Sequence, residues 1–423
     1  MKKPIVILEN GGSTIKVGLA NRGRGKDPRI IQNAVIRSKG DKVTYIGHEF
    51  EACQDFASLH YRLYLLKRWA NNWDAQKAVW DGIFSDQVDT TESSVLVTEP
   101  YFNLHNLQEV YDQFMFEEYE FQSYYRCPPA SLIPFGTLFS QPSLSPPDCV
   151  VVVDSGFSFT HVVPIMEGRI LWTAVKRLDV GGKLLTNHLK ELVSFRQWNM
   201  MDETYIMNHV KESCCLVSSN FKPRSRRLAD PKGNPIVREY VLPDLTQNKQ
   251  GRIRQPGDIV TDNDQVLVMN NERFTVPELL FRPDDLGLQQ AGLPVVIRHC
   301  ISLLPEELQG VFWANIGLIG GNAKFPGLKQ RLPITEAYKS AFAFASRPDF
   351  TQHVVTRAEY AEYGSNASRR KFPDWKKAEL EHESEKDATS QSEDDRPPAS
   401  SSKLSRIRSK SNATAGSASL HRR

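Results

Sequence analysis

Three stretches of this chain hold residues whose types and spacing can do chemistry. In "CVVVVDSGFSFTHVVPIMEGR", Cys149 to Arg169, an apolar run is broken by Asp154, Ser155 and Gly156 and then resumes as an extended pattern. That is a strand, a tight hairpin and a second strand, with a carboxylate at the bend. A carboxylate so placed can hold a hydrated Mg2+, and the small residues beside it let backbone amides approach an anion. Phe157 follows, an apolar ring where a phosphate grip favours small or polar side chains. "ENGGST", Glu9 to Thr14, repeats the arrangement: a carboxylate, Gly11 and Gly12 for close approach, and the hydroxyls of Ser13 and Thr14. Lys16, two residues into the next strand, is placed to reach back to a phosphate. The third stretch, "LIGGNAKFPG" from Leu318 to Gly327, reads as strand, Gly320-Gly321, Asn322, Phe325, helix, and the glycine pair allows close approach to a flat ring or a ribose. Taken singly, each has a plainer reading, a glycine-turned hairpin or close packing. His161, alone on its strand, reads as a packed, hydrogen-bonded side chain rather than a base.

These residues need elements to hold them. The N-terminal "PIVILENGGSTIKVGLANRG" and the stretch from Cys149 share one layout: apolar strand, acid, glycine turn, hydroxyl residue, second strand. Two copies, one opening each half, predict a duplicated α/β architecture. "NWDAQKAVWDGIFS" predicts an amphipathic helix through Trp73, Val79, Trp80 and Ile83. "SSVLVTEP" predicts a buried strand ended by proline. "NLHNLQEVYDQFMFEEY" predicts a helix with Leu104, Leu107, Val110, Tyr111 and Phe114 on one face. Further helices are expected from Gly181-Gly182 onward and across "DETYIMNHVKESCCLV". The polar, basic, proline-rich stretch from about 218 to 265 predicts a long loop or flexible insert.

The chain has 423 residues and a net charge of +3, so its overall field favours neither nucleic acid nor an acidic surface. No two of the six cysteines form a C-x-x-C pair. Cys149 and Cys300 sit in apolar runs, and the adjacent Cys214 and Cys215 lie in a helical pattern, so core thiols in a reducing compartment are expected and a zinc site is not. No run of 18 apolar residues occurs, and the N-terminal apolar stretch ends at Glu9, so no membrane association is expected. "KPRSRR", Lys222 to Arg227, and "SRIRSK" near the C-terminus read as solvated clusters, as nuclear import signals or as weak, salt-sensitive anion contacts. Residues 373–423 are Ser-rich and charged, with few aromatics, and are expected to form a disordered tail.

Taken together, the motifs resemble the actin family. "ILENGGSTIKVGLA" is similar to its first phosphate loop, "VVDSGFSFTHVVPIMEGR" to its second, and "GLIGGNAKFPG" to its adenosine element; "HVKESCCLV" resembles the helix whose Lys-Glu pair, here Lys211 and Glu212, lines the adenine pocket. The resemblance implies an actin-like ATPase fold: two duplicated ribonuclease-H-like lobes around a nucleotide cleft. It divides the chain into a first lobe at 1–148, with a small subdomain two at about 30–65, and a second lobe at 149–372 carrying the insert at about 218–265. It implies nucleotide contacts from Glu9, Gly11, Gly12, Ser13, Lys16, Asp154, Ser155, Gly156, Lys211, Glu212, Gly320, Gly321, Asn322 and Phe325, with ATP or ADP and Mg2+ as the ligand.

Departures from the family pattern change what is expected of that ligand. Phe157-Ser158 replaces an Asp-Gly pair. The glutamine that positions the attacking water has no counterpart in "YYRCPPASLIPF", where Pro129 or Ala130 stands nearest and the double proline breaks the helix start. Hydrolysis is therefore expected to be lost, making a pseudo-ATPase with nucleotide as at most a structural ligand and no catalytic residue. Phe157 is expected to bury its ring against the facing hairpin and so join the lobes. The short stretch 41–64 lacks the long filament-contacting loop, and between Arg331 and Val354 an expected strand and glycine pair are missing. "DSGFSFTHVVP", the insert and "VVTRAEYAEYGS" resemble a nuclear branch of the family. That branch implies a non-filamentous subunit of an SWR-type complex that exchanges a variant histone into nucleosomes, with a remodeller ATPase and a zinc-finger subunit as partners, histones reached indirectly, and a nuclear location with a cytoplasmic pool. An active actin-fold ATPase, sugar-kinase-like enzyme or cytoskeletal actin-like protein stands as the alternative.

Overall fold

The computed structural model describes residues 4–20, 28–38, 42–53, 59–62, 73–85, 89–136, 138–139, 147–219, 236–244, 251–258, 264–331 and 362–363. The chain clusters as two units, 1–342 and 343–423, and of the second only Glu362 and Tyr363 are described. The proposed tail, the basic clusters and most of 331–354 lie outside the described residues.

The first unit begins with the hairpin β1 (Ile5–Asn10) and β2 (Thr14–Leu19), paired antiparallel so that Glu9 stands opposite Lys16. β3 (Arg29–Gln32) adds to β2. A small separate sheet follows, with β4 (Val35–Ser38) between β5 (Thr44–Ile46) and β6 (Leu59–Arg62). Helix α1 (Trp73–Phe84) leads to β7 (Ser94–Thr98), which joins β1 in parallel; α2 (His105–Gln113) leads to β8 (Ser123–Cys127), parallel to β7. Alternating apolar residues make this sheet one-sided: Val6, Leu8 and Ile15 face α1, where Trp80 is fully buried. α2 buries only part of the face expected of it: Tyr111 is buried and Phe114 packs on the core, while Leu107 and Val110 are half-buried. It starts after Leu104, which is exposed, and its inward residues are Tyr111 and, in the π-helical turn that follows, Met115.

The second half repeats the plan. β9 (Cys149–Ser155) and β10 (Thr160–Met166) form an antiparallel hairpin in full register, extended by β11 (Arg169–Ile170) and β12 (Lys176–Leu178). Val150 to Val153 are buried on both sheet faces, which explains the unbroken valine run. Helices α3 (Gly182–Arg196) and α4 (Thr204–Cys214) pack together beside it. The stretch expected to be a loop insert is partly folded: β13 (Arg238–Val241) pairs with β14 (Arg252–Ile253) and β15 (Val266–Met269). Tyr240 anchors that sheet, fully buried against His209 at 2.6 Å, an apolar body with a polar tip that composition alone did not separate from the surrounding basic residues. Helices α5 (Glu272–Glu278), α6 (Leu293–Ser302) and α7 (Glu306–Ala314) precede β16 (Ile316–Ile319), which joins β9 in parallel. In both halves, then, the first strand of a hairpin is flanked on its other edge by a parallel strand reached through helices. No helix among the described residues is long and apolar enough to cross a membrane.

Candidate functional site

The two hairpin tips and the turn after β16 come together between the halves. The first tip is tied from below. The Asn10 amide donates to Thr98 Oγ1 (2.9 Å), its side chain donates to the Tyr111 hydroxyl (3.0 Å), and Asn33 donates to the Gly11 carbonyl (2.9 Å). Lys16 reaches back along the strand as expected, but its partner is Glu9 Oε2 at 2.5 Å, a cross-strand ion pair in which both side chains are two-fifths exposed.

The second tip is tied more tightly. Asn322 donates to Ser155 Oγ (3.1 Å) and to the Gly156 carbonyl (2.9 Å). Thr160 gives its hydroxyl proton to the Val180 carbonyl (2.8 Å), so Ser155 Oγ, 2.8 Å from Thr160 Oγ1, donates to it. Ser155 is fully buried with its hydroxyl spoken for, and Asn322 is buried too. Gly320 makes this possible: at φ +89 the chain turns so sharply that a Cβ there would lie 2.3 Å from the Ser155 carbonyl oxygen. The same turn sends Phe325 into the core of the second lobe. The glycine pair therefore serves hairpin packing through Gly320, while Gly321 faces open space. In this arrangement the side chains of Ser155 and Asn322 are bonded to each other and to the hairpin, and Phe325 is packed in the core.

Lys211 and Glu212 part company. Lys211 is buried, and all three of its donors are used: to the Gly182 carbonyl (3.0 Å), Thr186 Oγ1 (3.0 Å) and Asn208 Oδ1 (2.8 Å). Desolvation lowers its pKa to about 8, with the nearby Glu212 pulling the other way. Glu212 is exposed and accepts from Asn208 Nδ2 (2.8 Å). Asn208, three residues before Lys211 on α4, shares its helix face, a spacing that was readable in the sequence. The α3 N-terminus is also occupied: the Gly182 amide donates to the Gly156 carbonyl (3.0 Å) and the Lys183 amide to the Phe157 carbonyl (2.8 Å). Glycine at 181 is what lets the tip this close, since a Cβ there would lie 2.5 Å from the Ser158 backbone.

Phe157 does not pack on the facing hairpin. Its ring lies over Gly182 and 6.0 Å from Lys211 Nζ, and it joins a cluster of Ala34, Ile36, Phe50 and Cys53 from the first half, with Tyr205 of α4. Phe50 and Tyr205 meet edge-on at 4.9 Å. It is Ser158 that meets the facing tip, its hydroxyl 2.9 Å from where a Cβ on Gly12 would stand. The lobes are thus joined, but by Ser158 at the facing tip and by Phe157 at a separate cluster. Removing the ring with Phe157→Ala should lower stability to urea by about 1–2 kcal/mol, less than full burial of a phenylalanine would give because Phe157 is partly exposed. A midpoint unchanged at constant slope would mean that this ring does not hold the lobes together.

Asp154 has a partner that no local pattern announced. Tyr101 Oη donates to Asp154 Oδ2 at 2.8 Å and accepts from the Ala130 amide at 3.3 Å. The Tyr101 ring lies 4.3 Å from the His161 ring, tilted by 35°. Desolvation raises the Asp154 pKa, with the Tyr101 hydrogen bond lowering it in part and Glu9 adding to the rise. Desolvation and the Arg177 charge lower the His161 pKa to about 3, leaving the imidazole neutral at ordinary pH. The Pro129–Phe135 segment is 3-10 helix rather than α-helix, as the double proline dictates.

Actin-fold proteins generally bind ATP or ADP with a divalent metal. The residues here do not fit a Mg2+-triphosphate as they stand. Asp154 is bonded to Tyr101, Glu9 to Lys16, the α3 amides to the second tip, and the tips themselves touch. Among the described residues a pocket of about 90 Å3 opens to solvent, lined in part by Ser13, Thr14, Gln32, Phe157, Tyr205 and Glu212.

The profile of the family described as Actin matches residues 2–336. Among similar curated proteins, "Actin-like protein ARP6" of Cryptococcus neoformans is 46% identical over 87% of this chain and 84% of its own length. "Actin-related protein 6" of Drosophila melanogaster is 35% identical over 86% of this chain and 98% of its own, and its Arabidopsis thaliana namesake 35% over 87% and 99%.

Proposed function

Because this chain belongs to the actin family and is an actin-related protein, we propose that it is a non-filamentous nuclear subunit of a chromatin-remodelling complex that exchanges a variant histone into nucleosomes. It works there as a fixed platform and not as an ATPase. The observation that carries this reading is the tied cleft: Ser158 against Gly12, and the Phe157, Phe50 and Tyr205 cluster, hold the two halves together through the chain's own side chains. A fold whose closure needs no phosphate presents one constant surface, which suits a scaffold better than a polymer subunit that must switch. The likeness to proteins named actin-related protein 6 in fungi, fly and plant supports the same reading, and the expected location is the nucleus with a cytoplasmic pool.

The test is affinity capture of the full-length tagged chain from nuclear extract, followed by mass spectrometry. A remodeller ATPase and a zinc-finger subunit should co-purify in fixed ratio, with histones recovered in a salt-sensitive manner. Recovery as a homopolymer, or with no remodeller subunit, would rule the proposal out.

A further inference from the structure

The platform needs no buried phenol beside Asp154, yet Tyr101 sits there with contacts on three elements. Its hydroxyl bonds Asp154 at the end of β9 and the Ala130 amide in the Pro129–Phe135 segment, and its ring lies against His161 of β10. The other Asp154 oxygen, Oδ1, lies beside Gly320, 3.0 Å from where a Cβ there would stand.

We propose that Tyr101 is a built-in occupant of the phosphate end of the cleft, holding the Asp154 carboxylate that a hydrated Mg2+ would need and so selecting against Mg2+-nucleotide. The inference deepens the platform reading and takes from it only that the cleft is not a working ATPase site. Mg2+ keeps most of its waters and accepts one or two protein carboxylates in strict octahedral geometry. To reach Asp154 it must displace a neutral phenol that gives the carboxylate a short, charge-assisted hydrogen bond. The phenol remains a donor at any ordinary pH, because desolvation and the adjacent Asp154 charge hold its own pKa far above the usual tyrosine value. Among the described residues, Lys16 acts on Asp154 through its charge but is paired with Glu9, and Lys211 spends its donors on Gly182, Thr186 and Asn208.

The experiment uses the full chain and a fluorescent ATP analogue, titrated in Mg2+ and in EDTA. Tyr101→Phe removes the hydroxyl and keeps the ring on His161. It should tighten binding about tenfold or more in Mg2+, the worth of one charge-assisted hydrogen bond, and leave binding in EDTA unchanged. Adding Asp154→Asn to that variant should abolish the gain. In the parent chain, Asp154→Asn alone should leave Mg2+-dependent affinity as it was, since Tyr101 already holds that side chain. This second arm does not depend on Tyr101→Phe folding well. If Tyr101→Phe binds no more tightly in Mg2+, or if the parent loses Mg2+-dependent affinity with Asp154→Asn, the inference is overturned. Affinity capture of the platform's partners is unaffected by either result, so the two proposals fail separately.

Discussion

Purified full-length protein should release no phosphate from Mg2+-ATP above background. Hydrolysis needs a water held in line with the γ-phosphate and a group to take its proton, and removing one such positioned group commonly costs about 10^2–10^4 in rate. Beside Asp154 stand Tyr101, whose hydroxyl accepts from the Ala130 amide, and a neutral His161 against its ring. The tyrosine hydroxyl is committed to Asp154, and an imidazole whose pKa is about 3 is too weak a base to draw a proton from water near neutrality. The double-proline segment is 3-10 helix, and the Ala130 amide within it is spent on the Tyr101 hydroxyl. Tyr101→Phe should bind Mg2+-ATP and still not turn it over. Phosphate release by the parent that disappears with Asp154→Asn would show that the site is a working ATPase and defeat this expectation.

Alkaline pH should destabilise the fold strongly between about pH 8.5 and 10.5. Cys127, Cys149, Cys214, Cys215 and Cys300 are buried free thiols whose pKa is raised by desolvation, to about 11 for Cys127 and Cys214 and about 12 for Cys300. In the unfolded chain the same thiols ionise near pH 9. Between those values the folded state binds more protons, so the stabilisation is complete below pH 9 and is lost as pH rises toward the folded-state values. Each thiol raised to about 11 or beyond then costs about 1 kcal/mol at pH 10, and those four together cost several. Lys211 acts in the opposite sense. Its folded pKa of about 8 lies below the unfolded one, so the unfolded state binds more protons above pH 8, and that single residue gains stability as pH rises. The thiols outnumber it, and net loss is expected. Urea midpoints at pH 7.5 and 10 under reducing conditions give the measurement, with Cys300→Ala expected to shallow the slope. Equal midpoints at the two pH values would mean that the thiols are solvated.

Much of the fold was legible in the chain because its signals are local. The valine run before Asp154, the paired glycines at 11 and 12, and the helical spacing of Val79, Trp80 and Ile83 each encode an element through neighbours within a few residues. Both hairpins and both parallel strands, β7 and β16, follow from them. The site was less legible. Asp154 and its partner Tyr101 are 53 residues apart and meet only in the folded chain; "TEPYFN" offers a proline-ended strand and nothing periodic that would aim a phenol inward. Asn322 and Phe325 were read as ligand-facing, yet the positive φ at Gly320 aims one at the second hairpin and the other at the core. Tyr240 was hidden for a different reason: a single buried aromatic inside a basic stretch leaves the average composition of that stretch unchanged.

The parallel pairing of β16 with β9 has a consequence for how the chain is made. Val151 pairs with Ile316 and Asp154 with Ile319, so 165 residues separate the two edges of that contact. At about 5–20 residues per second, a ribosome takes roughly ten to thirty seconds to deliver the second edge. Throughout that interval the most apolar strand of the protein has β10 on one side and an unpaired ladder of amides and carbonyls on the other. Such an edge is a template for any passing strand. Asp154 and the tyrosine that occupies it therefore belong to the last part of the sheet to be sealed, and a nascent chain interrupted before residue 316 carries an open, hydrophobic β edge where the finished protein has its centre.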